Sequence, residues 1–179
     1  FSYCTSDDSV QTIGSNTTLG QMSPRNLLVT TIGDELRLAT NFRSKVVGIA
    51  IKDRGAILPA GHSGNGAYWY DNKTGDWISS SYYIKDLPKW TKDLNARKLV
   101  DKYYASDWTT LYPLNTYEQS AVNASGFNHP LKQFATKNYG IIAATPYGNS
   151  MTFEVAMAAI TGENLGDDGN TDMLTVSLS

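Results

Sequence analysis

The chain has one cysteine, almost no net charge and no long hydrophobic run. Cys4 is the lone thiol, so no internal disulfide can form, and one thiol does not fix the redox compartment. Its 17 acidic and 15 basic residues nearly cancel. Proteins that bind nucleic acid usually carry a clear basic excess, so nucleic acid is not expected as a partner. No apolar stretch is long enough to cross a bilayer, so no membrane partner is expected. There is no initiator Met and no signal peptide at Phe1. The Ser nucleophile elbow, the phosphate-cradling Walker loop and the dinucleotide glycine fingerprint are all missing. Neither His62 nor His129 has a second His, Cys or carboxylate at metal spacing, so both read as structural or loop histidines.

What remains is 179 residues, one domain's length, with 41% hydrophobic residues, 11 Tyr and 4 Trp. That is enough chain to bury a core. Residues 1–22 are polar and read as loop. Ser23-Pro24 reads as a helix start, and Leu28, Ile32, Leu36 and Ala39 form one stripe, which predicts an amphipathic helix over 24–40. Residues 45–52 read as a strand apolar enough for a parallel sheet covered on both faces. A helix followed by such a strand indicates an α/β fold.

Aromatic runs flank Asp71-Asn72-Lys73-Thr74-Gly75 and predict a hairpin. Residues 87–104 read as one or two helices, 105–138 as irregular and 139–145 as a short extended segment. Pro146–Ser150 reads as a turn into a helix over 151–160, stopped by Gly162. An acidic loop over 163–172 then leads to a last strand. Asn16, Asn72 and Asn123 sit in Asn-x-Ser/Thr triplets, which arise often by chance. The final residues alternate like a strand and then stop, which points to a piece of a longer protein.

Three features could carry chemistry. Lys52-Asp53-Arg54 follows the apolar run Val46–Ile51. In extended chain, side chains two apart share a face, so Lys52 and Arg54 could converge on one anion while Asp53 points elsewhere. The carboxyl end of a parallel strand is where α/β proteins hold ligands. The alternative is a solvated strand end, with Asp53 neutralising its neighbours. The acidic loop Asp167–Asp172 is oxygen-rich but lacks the calcium-loop spacing, and reads as a solvated turn. Tyr68, Trp69, Tyr70, Trp77, Tyr82 and Tyr83 could stack on sugars or bases, or pack across a hairpin, which is the preferred reading.

The run Ser23-Pro24-Arg25-Asn26-Leu27-Leu28, Thr31–Leu36, Lys52-Asp53-Arg54 and Ala56–His62 resembles the periplasmic alkaline phosphatases of Bacteroidetes-type bacteria. These lie within the alkaline phosphatase and nucleotide pyrophosphatase superfamily. Gly66–Asp71, Leu87–Trp90, Thr145–Asn149 and Thr171–Ser179 carry the same likeness, which is weakest over 105–138.

The resemblance implies an α/β/α sandwich with inserted cap elements, two zinc ions and a Thr nucleophile that attacks a phosphate monoester. It implies that Lys52 and Arg54 grip the phosphoryl oxygens. It also places the nucleophile and every zinc ligand outside this chain, so the chain alone is expected to be inactive, with no catalytic or metal residue of its own. The implied location is the periplasm. On this basis residues 1–60 would be core, 61–83 an inserted hairpin cap, 84–100 a helical core segment, 101–170 a cap-like insertion and 171–179 a truncated core strand. The alternatives are a phosphodiesterase or nucleotide pyrophosphatase of the same superfamily, or a non-catalytic carbohydrate-binding module.

Overall fold

The computed structural model describes residues 3–117 and 126–178. Asn123 and its triplet lie outside the described residues, as does Ser179.

A five-stranded sheet organises the chain, in the order β1-β4-β3-β2-β7. Its parallel part is built on β2 (Val46–Ala50), in which every residue is buried. On one side β2 pairs in parallel with β3 (Gly66–Asp71), Ile49 opposite Tyr68 and Ala50 opposite Trp69. On the other it pairs in parallel with β7 (Met173–Ser177), Ala50 opposite Ser177. β3 turns back into antiparallel β4 (Asp76–Ser80), and the two-residue β1 (Thr12–Ile13) closes that edge. A second, two-stranded ribbon joins β5 (Trp108–Thr109) to β6 (Asn128–His129).

Side chains alternate across β2, so each face gains its own core. Val47, Ile49 and Ile51 pack with Tyr68, Tyr70, Trp77 and with Met151, Val155 and Ala159 of α5 (Pro146–Gly162). The cluster extends to Leu94 of α3 (Lys89–Ala96) and to Leu99, Val100 and Tyr104 of α4 (Leu99–Tyr104). On the other face Ala50 packs with Ala56, Ile57 and Ala60 of α2 (Asp53–Ala60), and with Ala67, Trp69 and Ile78. Gly48 lets α2 settle directly on β2: a Cβ there would stand 2.1 Å from the Ala56 carbonyl oxygen. Helices thus cover both faces, the three-layer α/β arrangement expected.

Several boundaries differ from the sequence-based expectation. The helix over 24–40 is only α1 (Ile32–Ala39). Ser23 is not its cap: its hydroxyl donates to buried Asp7 and accepts the Arg25 amide. Thr31 caps instead, in a capping box with Asp34. In α1 the apolar stripe also faces outward, with Ile32 at 78% exposure, because Gly33 and Asp34 are the buried positions, and Leu28 lies before the helix and is exposed.

The aromatic hairpin is not a cap laid over the sheet, since β3 is hydrogen-bonded to β2 within it. Nor is all of 101–170 an insertion above the core, since α5 forms one of the sheet's covering layers. That helix begins at Pro146, not at 151, because Pro at the first helical position is already pre-set in φ. Residues 139–144 coil into a 3-10 helix capped by the Asn138 side chain, where an extended segment was expected.

The polar N-terminal stretch has little regular structure, yet it is held at three carboxylates. Tyr3 and Thr5 donate to Asp53. Ser9, Ser23 and Arg25 converge on Asp7. Ser15 and Thr17 donate to Asp71 in the hairpin. Hydroxyl-to-carboxylate bonds here do the work that a ladder does elsewhere.

Candidate functional site

Lys52 and Arg54 lie where β2 hands the chain to α2. The strand ends at Ala50, and Lys52 is the extended N-cap of the helix, at φ −95° and ψ 134°. Arg54 is therefore helical, and the pair does not share a face through strand alternation as the sequence reading supposed. Both still reach the same place. A cavity of about 220 Å³ at the carboxyl ends of β2 and β7 is lined by Ala50, Lys52, Arg54, Gly55, Ser177 and Leu178. Lys52 also borders a second cleft of about 250 Å³, together with Tyr3, Asp53, Trp69, Tyr70 and Asn72.

The electrostatics of this corner favour an anion. Lys52 and Arg54 are exposed, and neither forms an ion pair among the described residues. The intervening acid is engaged elsewhere: Asp53 Oδ1 accepts from Tyr3 Oη and Thr5 Oγ1, each at 2.9 Å. Arg54 Nη1 donates to Tyr3 Oη at 2.9 Å. Burial is the main influence raising the Tyr3 pKa, and Asp53 adds to it while Arg54 opposes, so the phenol stays neutral. The first turn of α2 opens at the same corner, and its positive end adds to the two cations.

The other candidates resolve as structure. Tyr68, Trp69, Tyr70 and Trp77 are all buried, so they cannot form a stacking platform for sugars. Tyr82 Oη donates to the His62 carbonyl and Tyr83 Oη to that of Gly61, which ties the end of β4 to the loop after α2. His62 offers its amide to Asp34, and a ring nitrogen lies 3.3 Å from the Val29 carbonyl. The His129 ring stacks on Trp108. In the acidic loop, Asp172 accepts from the amides of Lys45 and Gly166, and Asp168 from that of Asn170, so these carboxylates cap backbone. Among the described residues no group of three or more His, Cys, Asp or Glu is placed to hold a metal ion. Tyr3 and Thr5 belong to the corner and were missed, since nothing in a polar loop marks one hydroxyl above its neighbours.

No family model matches the chain. Over 99% of its length it is 56% identical to the alkaline phosphatase PhoV of Synechococcus elongatus, of which it covers 34%. It is 52% identical to a Myroides odoratus protein named a calcium-transporting ATPase, covering 35%. It is 46% identical to the alkaline phosphatase PafA of Elizabethkingia meningoseptica, again covering 35%. The crystal structure of wild-type PafA superposes with a TM-score of 0.92 over 99% of this chain and 37% of the other. The chain matches a section of a PafA-type alkaline phosphatase. The match holds in sequence and in fold, and the chain spans about a third of the length of these relatives. A PafA variant with one Thr changed to Ser, and an Asn, a Lys and an Arg changed to Ala, superposes equally well, at 0.93. No helix among the described residues is long and apolar enough to cross a membrane.

Proposed function

We propose that this chain is the central section of a zinc-dependent, periplasmic phosphatase acting on phosphate monoesters, and that Lys52 and Arg54 bind the phosphoryl oxygens. The observation that carries this is the cation pair at the carboxyl ends of β2 and β7, which has no ion-pair partner among the described residues, with Asp53 withdrawn into bonds with Tyr3 and Thr5. A phosphate monoester dianion suits that corner. Arg offers a planar fork of donors, Lys a compact charge and the α2 N-terminus further positive potential. Charge placed there in advance acts on the phosphoryl group as negative charge develops in the transition state.

The replaced residues of the PafA variant support the reading, because they include a Lys and an Arg two positions apart. The replaced Thr precedes that Lys by more positions than this chain has before Lys52. That spacing is compatible with the reading in which a Thr nucleophile lies upstream of Phe1. No zinc ligand is assigned to the described residues, and the chain alone is expected to be inactive.

The test is Arg54→Ala in the full-length protein that contains this chain. The kcat/KM for an aryl phosphate monoester should fall by roughly 100- to 1000-fold, the usual loss when one pre-aimed donor to a developing charge is removed. Unchanged kinetics would remove Arg54 from the site. Wild-type protein that prefers diesters would instead favour the phosphodiesterase reading.

A further inference from the structure

Arg54 is long, exposed and free to rotate through many rotamers. Its guanidinium is nonetheless tied. Nη1 donates to Tyr3 Oη, the phenol donates to Asp53 Oδ1, and Thr5 Oγ1 donates to that same carboxylate oxygen. The Tyr3 main chain is itself fixed, since its carbonyl accepts from the Ser6 amide at 3.1 Å and from Asn26 Nδ2 at 3.4 Å. Asp53 is in the first turn of α2, one residue from Arg54, so the tether starts and ends on the same helical turn.

We propose that Tyr3 is the positioning residue for Arg54, holding the guanidinium over the crevice between β2 and β7, with Asp53 and Thr5 as the fixed end of the tether. The proposal rests on the phosphoryl-binding reading of Arg54. A phenol suits this task better than a carboxylate would. It accepts one N–H without cancelling the positive charge, and a guanidinium has five such donors, so four stay available to an incoming phosphate. Asp53 faces the phenol and not the guanidinium, so its negative charge orients Tyr3 without forming an ion pair with Arg54. Tyr3 also lines the cleft that Lys52 lines, so it stands between the two cations' surroundings.

The experiment is a double-mutant cycle on the full-length protein, read as kcat/KM for an aryl phosphate monoester, with the unfolding midpoint recorded for each variant. Tyr3→Phe keeps the ring and removes only the hydroxyl. It should lower kcat/KM by about 10-fold, the scale expected when a catalytic group is slightly misplaced. In the Arg54→Ala background the same change should have no further effect, because the phenol acts only through that guanidinium. Thr5→Val, which releases the far end, should give a smaller loss that also vanishes without Arg54. Equal losses in both backgrounds, or an unchanged kcat/KM in Tyr3→Phe whatever its unfolding midpoint, overturn the proposal. If Arg54→Ala is itself silent, the phosphoryl-binding reading fails and this inference fails with it. If Arg54→Ala is severely impaired and Tyr3→Phe is not, this inference alone fails.

Discussion

Asp34 and Arg54 are both charged residues in the first turn of a helix, one in α1 and one in α2. Asp34 is buried at 3% exposure, and its two oxygens accept from the Thr31 amide and hydroxyl, the His62 amide, and the Ser63 amide and hydroxyl. Burial alone would raise its pKa, but the bonds from Ser63, Thr31 and His62 outweigh it and hold the carboxyl at about 2. Arg54 is exposed and has one neutral partner. A charge whose bonding capacity is met inside the protein holds two segments together. A charge left with spare donors at the mouth of a cavity is available to a ligand. Both carry a full charge in a first helical turn, though of opposite sign; satisfaction tells their roles apart.

Arg54→Ala is the substitution that breaks this contrast hardest on the functional side. It should cost at least two orders of magnitude in kcat/KM and leave stability within about 0.5 kcal/mol, as for an exposed side chain. Asp34→Ala should do the reverse. Removing the carboxylate strands several buried donors, and a loss of about 3 kcal/mol in urea unfolding is expected. A loss below about 1 kcal/mol would show that the hub is not structural.

The pH dependence has a definite sign. The folded pKa of Asp34 lies below its ordinary value of 3.8, so its contribution is full above that value and is lost as pH falls through about 2. Asp34→Asn should flatten the acid limb of the stability curve. A smaller effect is expected at Gly61, which sits at φ +72° against the same hub, where a Cβ would come within 2.5 Å of Asp34 Oδ2. Gly61→Ala should destabilise by about 1–3 kcal/mol, the cost of a strained backbone plus displacement of a carboxylate.

The same contrast explains what could be read in the sequence. The central strand and its parallel pairing were legible in outline, as 45–52 for the observed Val46–Ala50, because an unbroken apolar run leaves few alternatives. The start of α1 was misread: Ser23-Pro24 gave the helix-start signal, whereas Thr31 and Asp34 form the capping box. Which signal wins depends on Asp7, sixteen positions earlier, taking the Ser23 hydroxyl. The outward apolar stripe of α1 was misassigned for a related reason: a buried Asp34 turns the helix, and periodicity does not register a satisfied carboxylate. The hairpin was recognised as a hairpin but not as part of the sheet, since its pairing with β2 follows from the α2 crossover and not from its own residues. Tyr3 and Thr5 reach Asp53 across about fifty residues, beyond any local pattern.

The most direct test of the central claim is binding of inorganic phosphate, read as competitive inhibition of monoester hydrolysis by the full-length protein, in wild type and in the double variant Lys52→Ala/Arg54→Ala. If the two cations hold the phosphoryl group, the inhibition constant should rise by at least about 100-fold, since two charge-assisted contacts are lost. An inhibition constant unchanged in the double variant would contradict the account and leave the pair as a solvated helix start.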